Sequence, residues 1–229
     1  MSLPTIGRVR SVNVGARRLV DPAEPSGDST GICKEPVAEA VRVEVPSAGR
    51  SGLADDVICD VKHHGGPDQA VYAYAREDLD LWGERLGRAL PDGMFGENLT
   101  TEGLNLTEAV LGERWRIGES EGGGGGSALV LEASCPRIPC ANFAARMAVP
   151  RWVKLFTTAG ETGTYMRVVT PGTVRVGDTI EVVERPDHGV TIGTYFRAVT
   201  TERRRLPELL AAKDYLPAEL LEAIERVER

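Results

Sequence analysis

The sequence predicts a mostly β, barrel-like fold with a few peripheral helices and a short C-terminal helical appendage. Three observations lead there. The first 190 residues are rich in Val, Gly, Pro and Thr and break into short apolar stretches between turn residues. Seven of those stretches, residues 6–14, 40–45, 70–74, 113–117, 128–133, 165–169 and 179–183, read as strands, several with Val, Tyr, Trp or Ile at period two. After Arg185-Pro186-Asp187 the apolar spacing becomes helical. The expected organisation is a barrel domain over 1–187 and a helical appendage over 188–229.

Along the chain, Leu79, Trp82 and Leu86 recur at helical spacing behind Glu77 and Asp78, and Gly87 can end that helix. Leu111-Gly112-Glu113 and Val176-Gly177-Asp178 each place a glycine-acid turn before an alternating strand, a likeness too short to be a repeat. The five glycines at 122–126 read as a mobile hairpin loop without chemistry. Past the linker, Ile192, Tyr195, Phe196 and Val199 share a face, followed by Leu206, Leu209 and Leu210, then Leu216, Leu220, Ile224 and Val227. Three short helices are predicted, with Pro207 and Pro217 in first turns. Their stripes are too small to stand alone, so they either cap the barrel or meet a partner. His188, beside Asp187, is expected to be a solvent-exposed linker residue.

The 229 residues suffice for a sizeable core, at 41% hydrophobic and 27% charged. A net charge of −7 gives no general footprint for nucleic acid or an anionic membrane. No window nears the roughly 18 apolar residues of a spanning helix, and MSLPTIGRVRSVNVG has no export-signal pattern, so a cytoplasmic protein is expected. The four cysteines, Cys33, Cys59, Cys135 and Cys140, then read as reduced thiols.

Three segments stand out chemically. Lys62-His63-His64-Gly65-Gly66-Pro67-Asp68-Gln69 puts two of the three histidines in a turn whose glycines allow close backbone approach. Such a turn either binds an anion or cofactor, or is a plain turn whose imidazoles bond the backbone. Ser134-Cys135-Pro136-Arg137-Ile138-Pro139-Cys140 follows a strand, and its prolines stiffen a platform that presents an arginine fork for an anion beside a thiol. Alternatively, Cys140 is a small buried hydrophobe. In Met94-Phe95-Gly96-Glu97-Asn98-Leu99-Thr100, Asn98 follows a glycine turn at the start of an expected strand and either anchors a ligand or closes a turn. Zinc is poorly supported, because Cys135 and Cys140 are spaced C-x4-C and would need Cys59 or His64. Neither G-x-S-x-G nor a G-x-x-x-x-G-K-[ST] loop occurs.

Thr30-Gly31-Ile32-Cys33-Lys34-Glu35-Pro36-Val37, Gly52-Leu53-Ala54-Asp55-Asp56, HHGGPDQAVYAY at 63–74, FGENLTTEGL at 95–104 and PRIPC at 136–140 together resemble the MOSC domain family, named for the C-terminal domain of molybdenum cofactor sulfurase. The likeness is strongest to the stand-alone bacterial YiiM-like branch. It implies a β-barrel holding a molybdenum cofactor (molybdopterin with Mo), and pyridoxal phosphate is not expected. Cys140 matches the family's metal-ligating and catalytic cysteine, a soft ligand suited to such a metal. Lys34, Lys62, His63, His64, Asn98 and Arg137 are the implied grips on pterin and phosphate. Asp55-Asp56-Val57 stands where family members commonly have Gly-Asp-Arg, which removes a cation, adds a carboxylate and leaves Lys62 as the substitute. Cys135 adds a second thiol five positions from the presumed ligand, and with it an oxidative disulfide. The implied activity is reduction of N-hydroxylated compounds (hydroxylamines, amidoximes, hydroxylamino purines) to amines. With no iron–sulfur cysteine set and no G-x-G-x-x-G, an external electron-donor protein is implied. The alternatives are a non-catalytic cofactor carrier or a module bearing a persulfide on Cys140.

Overall fold

The computed structural model describes residues 5–19, 29–47, 49–118 and 128–227; the five-glycine segment at 122–126 lies outside them. β1 (Ile6–Gly15), β2 (Arg18–Leu19), β3 (Ser29–Thr30), β4 (Lys34–Val37) and β5 (Val41–Val43) come first. A 3-10 turn over Pro67–Gln69 leads into β6 (Val71–Ala75), α1 (Arg76–Leu86), β7 (Leu99–Glu102), β8 (Arg114–Ile117) and β9 (Leu129–Pro136). Helices α2 (Ala141–Met147) and α3 (Trp152–Ala159) precede β10 (Thr164–Thr170), β11 (Gly172–Val174) and β12 (Thr179–Glu184). Then follow α4 (Ile192–Val199), a 3-10 segment over Arg203–Tyr215 interrupted at Ala212, and α5 (Ala218–Val227).

Among the described residues seven strands close a barrel in the order β1-β12-β8-β9-β10-β6-β7 and back to β1. Closure leaves these strands no open edge between them. Every pairing is antiparallel except β6 with β7, where Ala73 lies opposite Leu99. β4 extends the sheet from the end of β1, with Lys34 opposite Gly15. Seven strands were expected, but the set differs. The stretch 40–45 supplies β5, which pairs with β11 in a separate ribbon, and β7 takes the seventh barrel position. Leu99, Thr100 and Thr101 are all buried, so β7 lacks the apolar–polar alternation of a half-exposed strand.

Helix α1 forms as its spacing predicts, with Leu79 and Trp82 buried and Gly87 at φ 64° donating its N–H back to the last turn. α2 and α3 are additional. Phe143, Met147, Trp152 and Phe156 are their buried residues, each pair at i, i+4, and neither helix has a side-chain cap. Their rings surround Phe95, whose centroid lies 5.0 Å from Phe143, 5.5 Å from Trp152, 5.9 Å from Phe156 and 4.8 Å from Tyr74. The C-terminal helices bury Ile192, Tyr195, Phe196, Leu209, Leu216 and Ile224, and α4 packs on β9. His188 departs from the exposed linker expected of it. Its Nε2 donates to the Leu111 carbonyl at 3.0 Å and its Nδ1 accepts from Val190 N–H at 3.0 Å, so the neutral imidazole ties the linker to the barrel. The Tyr215 ring packs on Gly112 so closely that a Cβ there would lie 2.3 Å from it. No described helix is long and apolar enough to cross a membrane.

Phe95 and Glu97 build the loop that enters β7. The fully buried Glu97 carboxylate accepts from Gly93 N–H at 2.6 Å, Phe95 N–H at 2.9 Å and Thr100 Oγ–H at 3.0 Å. Phe95→Ala empties the centre of the aromatic cluster and should cost about 3–5 kcal/mol in urea unfolding; a loss under about 1 kcal/mol would show that the rings close over the gap. Burial, opposed by these donors, lifts the Glu97 carboxyl to about 7 from an ordinary 4.5. The folded state therefore holds a proton that the unfolded chain releases, so this contribution to stability is present below about pH 4.5 and fades as pH rises through about 7. Glu97→Gln, which turns an amide N–H against a backbone N–H, should cost about 1–3 kcal/mol and flatten that pH dependence. Melting curves of both proteins from pH 4.5 to 8 would check it, and an unchanged slope in the variant would exclude Glu97 as its source.

Candidate active site

A cleft opens at the end of the barrel where β1 and β9 finish and β6 and β7 begin. Lys34 enters it from the start of β4, Asn98 precedes β7, and Arg137 follows β9. Cys140 stands at the N-terminal boundary of α2, and His64 comes from the turn before β6. The structure thus brings together Lys34, His64, Asn98, Arg137 and Cys140. Lys62 and His63 are exposed and lie outside the lining, with His63 bonded to Asp60 at 3.0 Å. Lys62 therefore does not replace a missing cleft cation. Asp55 also points away: it is exposed, holds a left-handed backbone at φ 62° where glycine is the easier residue, and adds no carboxylate to the lining.

Asp56 organises the inner wall. Its buried carboxylate accepts from Lys34 Nζ at 2.5 Å, from Gly15 N–H at 2.8 Å and from Asn98 Nδ2 at 3.0 Å. Asn98 accepts from Tyr72 N–H at 3.1 Å and donates to the Asn13 carbonyl at 3.4 Å. Its amide is thus committed to positioning the wall. Lys34 is 8% exposed, and burial lowers its pKa against the pull of Asp56. The pair is locally neutral, so Lys34 contributes less free positive charge than the sequence implies.

Arg137 differs. It is 4% exposed and sandwiched between rings, its guanidinium carbon 4.7 Å from the Phe143 centroid and 5.1 Å from Tyr72. It donates to Tyr165 Oη at 3.3 Å, its Nε has no acceptor, and no described carboxylate pairs with it. A buried cation is ordinarily paired with an acid, and here the described chain supplies none.

The Cys140 thiol is lowered to about 7: burial opposes the shift, and hydrogen bonding to His64, the Arg137 charge and the Phe143 N–H outweigh it. Cys135 takes the opposite course. It is buried outside the lining, burial pushes its thiol up to about 12, and its Sγ faces the Asp68 carbonyl at 3.7 Å. All four cysteines are free, and Cys33 receives a hydrogen bond from Arg146 at 3.4 Å. Cys59, Gln69, Tyr72, Asn142 and Tyr165 also line the cleft, though sequence reasoning did not select them. Gln69 lay in sight within the HHGGPDQ turn.

A family model described as the MOSC domain matches residues 60–181. The YflK protein of Bacillus subtilis (strain 168) is 33% identical over 184 residues, which cover 80% of this chain and 76% of that protein. A protein named Reductase from Gibberella moniliformis is 32% identical over 127 residues, 54% of this chain and 21% of that protein. The crystal structure of YiiM from Geobacillus stearothermophilus matches 96% of this chain and 98% of its own at 26% identity, with a TM-score of 0.73. By the family-model match, these sequence relatives and the shared fold, the chain belongs to the MOSC domain family, on the YiiM-like side of it.

Proposed function

We propose that this cleft binds the molybdenum cofactor and that the protein reduces N-hydroxylated compounds to amines. The observation that carries the reading is Arg137, a buried guanidinium without a carboxylate, lining the same cleft as Cys140. A phosphate or other anion of the cofactor supplies the missing countercharge, and the forked donors of arginine suit it. Membership of the MOSC family and a relative named a reductase support the same direction.

The residues present fit that group. Cys140 offers a thiolate, a soft ligand, whose negative form His64 and Arg137 favour. The rings of Tyr72 and Phe143 hold Arg137 from moving, and Asp56 with Asn98 keeps the opposite wall in place. When bound, the cofactor supplies the two-electron metal chemistry that breaks an N–O bond. The overall change converts a hydroxylamine, two electrons and two protons into an amine and water. His64 is the imidazole in the lining, beside the Cys140 thiol. The electrons come from a separate redox protein.

The test uses protein made in a host that synthesises the cofactor. Wild type should carry near-stoichiometric molybdenum and pterin and reduce a hydroxylamine with an artificial electron donor. Cys140→Ala should lose the metal and the activity. Arg137→Met should lower pterin content about tenfold or more, the worth of one charge-assisted bond, while the apoprotein melts no lower than wild type because an unpaired buried cation is gone. Wild type devoid of both metal and pterin would sink the proposal, and a loaded protein that cleaves no N–O bond would reduce it to a carrier.

A further inference from the structure

Gln69 lines the same cleft but takes part in none of the contacts above. Its backbone is held from both sides. Its N–H donates to Gly66 O at 3.1 Å, and the next carbonyl, that of Ala70, accepts from Gly52 N–H at 2.6 Å. The preceding residue, Asp68, accepts Ser134 Oγ–H on its carbonyl at 2.5 Å and pairs its carboxylate with Arg167 at 2.5 Å. The turn therefore cannot shift, and the side chain is left in the cleft whose lining also includes His64, Tyr72 and Arg137.

Its amide is not satisfied there. Oε1 is buried without a donor, and no described residue makes a hydrogen bond to the side chain. A buried carbonyl in that condition costs free energy comparable to a lost hydrogen bond, so a plain structural role would leave it worse placed than a leucine. The cleft also holds an orphan of the opposite kind, Arg137 Nε. A ligand N–H would complete the first, and an acceptor or anion the second. The last torsion of a glutamine is broad and two-fold, so a half-turn exchanges its oxygen and nitrogen at little cost.

We infer that Gln69 reads the N–H edge of an amino-substituted nitrogen heterocycle bound in the cleft, an inference that rests on the function proposed above. Two sources share that chemistry, the pterin of the cofactor and a purine-type substrate. The experiment compares wild type, Gln69→Leu, which removes the polar group at similar volume, and Gln69→Glu, which keeps an acceptor. Each is made in the cofactor-producing host and measured for pterin fluorescence, for KM toward a hydroxylamino purine and toward hydroxylamine itself, and for melting of the apoprotein. If the pterin is read, Gln69→Leu loses about tenfold in pterin content, the worth of one such bond, and Gln69→Glu retains most of it. If the substrate is read, pterin content holds, and KM for the purine rises about tenfold at unchanged kcat while KM for hydroxylamine, which has no ring, does not move. In both cases apo Gln69→Leu melts at or above wild type. A fall of about 5 °C or more in that apoprotein would show a structural amide and overturn the inference, as would equal pterin content with both KM values unchanged. Wild type without pterin would overturn the proposed function and this inference together, whereas a loaded wild type matched in every measurement by Gln69→Leu would overturn this inference alone.

Discussion

The carboxylate of Asp56 is the interaction on which the rest of the site depends. It gathers a lysine from β4, a backbone N–H from the end of β1 and an amide from the entry to β7 around one buried group. Three segments far apart in sequence are therefore fixed at the same end of the barrel. Asn98 passes the constraint on, because it also accepts from Tyr72 N–H in β6. Removing any donor leaves a buried anion short of a partner, a cost larger than that of the bond itself. The barrel needs closure to fold, and here the polar node that organises the closing strands also forms the wall of the cleft.

That arrangement sets the charge available to a ligand. Lys34 is compensated before anything binds, whereas Arg137, on the far side of β6, has rings and a phenol for neighbours and no acid. One lysine consumed by structure and one arginine left without an acid give a different site from the two free cations implied by the family resemblance. The difference bears on selectivity. A point charge on a flexible stem accepts many anions, while a guanidinium clamped between aromatic faces accepts those that match its plane. The thiol of Cys140 lies within reach of the same positive field, so the one guanidinium without an acid beside it also favours the thiolate.

Strands with a clear period-two pattern, such as β8 and β12, were readable from sequence because one face is apolar and the other is not. β7 was legible only as a strand beginning after the Gly96 turn and not as one of the seven barrel members, since a strand buried on both faces and built from Leu-Thr-Thr-Glu carries no alternation. The stretch around β5 shows the reverse failure: alternation identifies a strand but not the sheet it joins. α2 and α3 were hidden by their shortness, their missing caps and the prolines beside them, although Phe143 with Met147 and Trp152 with Phe156 keep helical spacing. In the cleft, Arg137, Cys140 and Lys34 were visible through motif order. Lys62 and His63 were overread because neighbours in a tight turn point different ways, and only His64 faces inward. Gln69 was underread because no pattern of residue types announces a missing hydrogen bond.

The last point separates scaffold from site more generally. Glu97 and Arg137 are both buried ionisable groups a short way from the same cleft, and burial alone would assign them the same role. Glu97 has donors on both oxygens, two from its own loop and one from β7, so it is complete without a ligand and its task is to hold the chain. Arg137 has one neutral partner at 3.3 Å and an orphaned nitrogen, so it is incomplete. A folded chain retains such incompleteness only where the rest of the structure overdetermines the conformation, as the Asp56 node and the ring cage do here. Arg137 and Gln69 therefore differ from Glu97 in the same way, each lining the cleft with a buried polar atom that the described chain leaves without a partner.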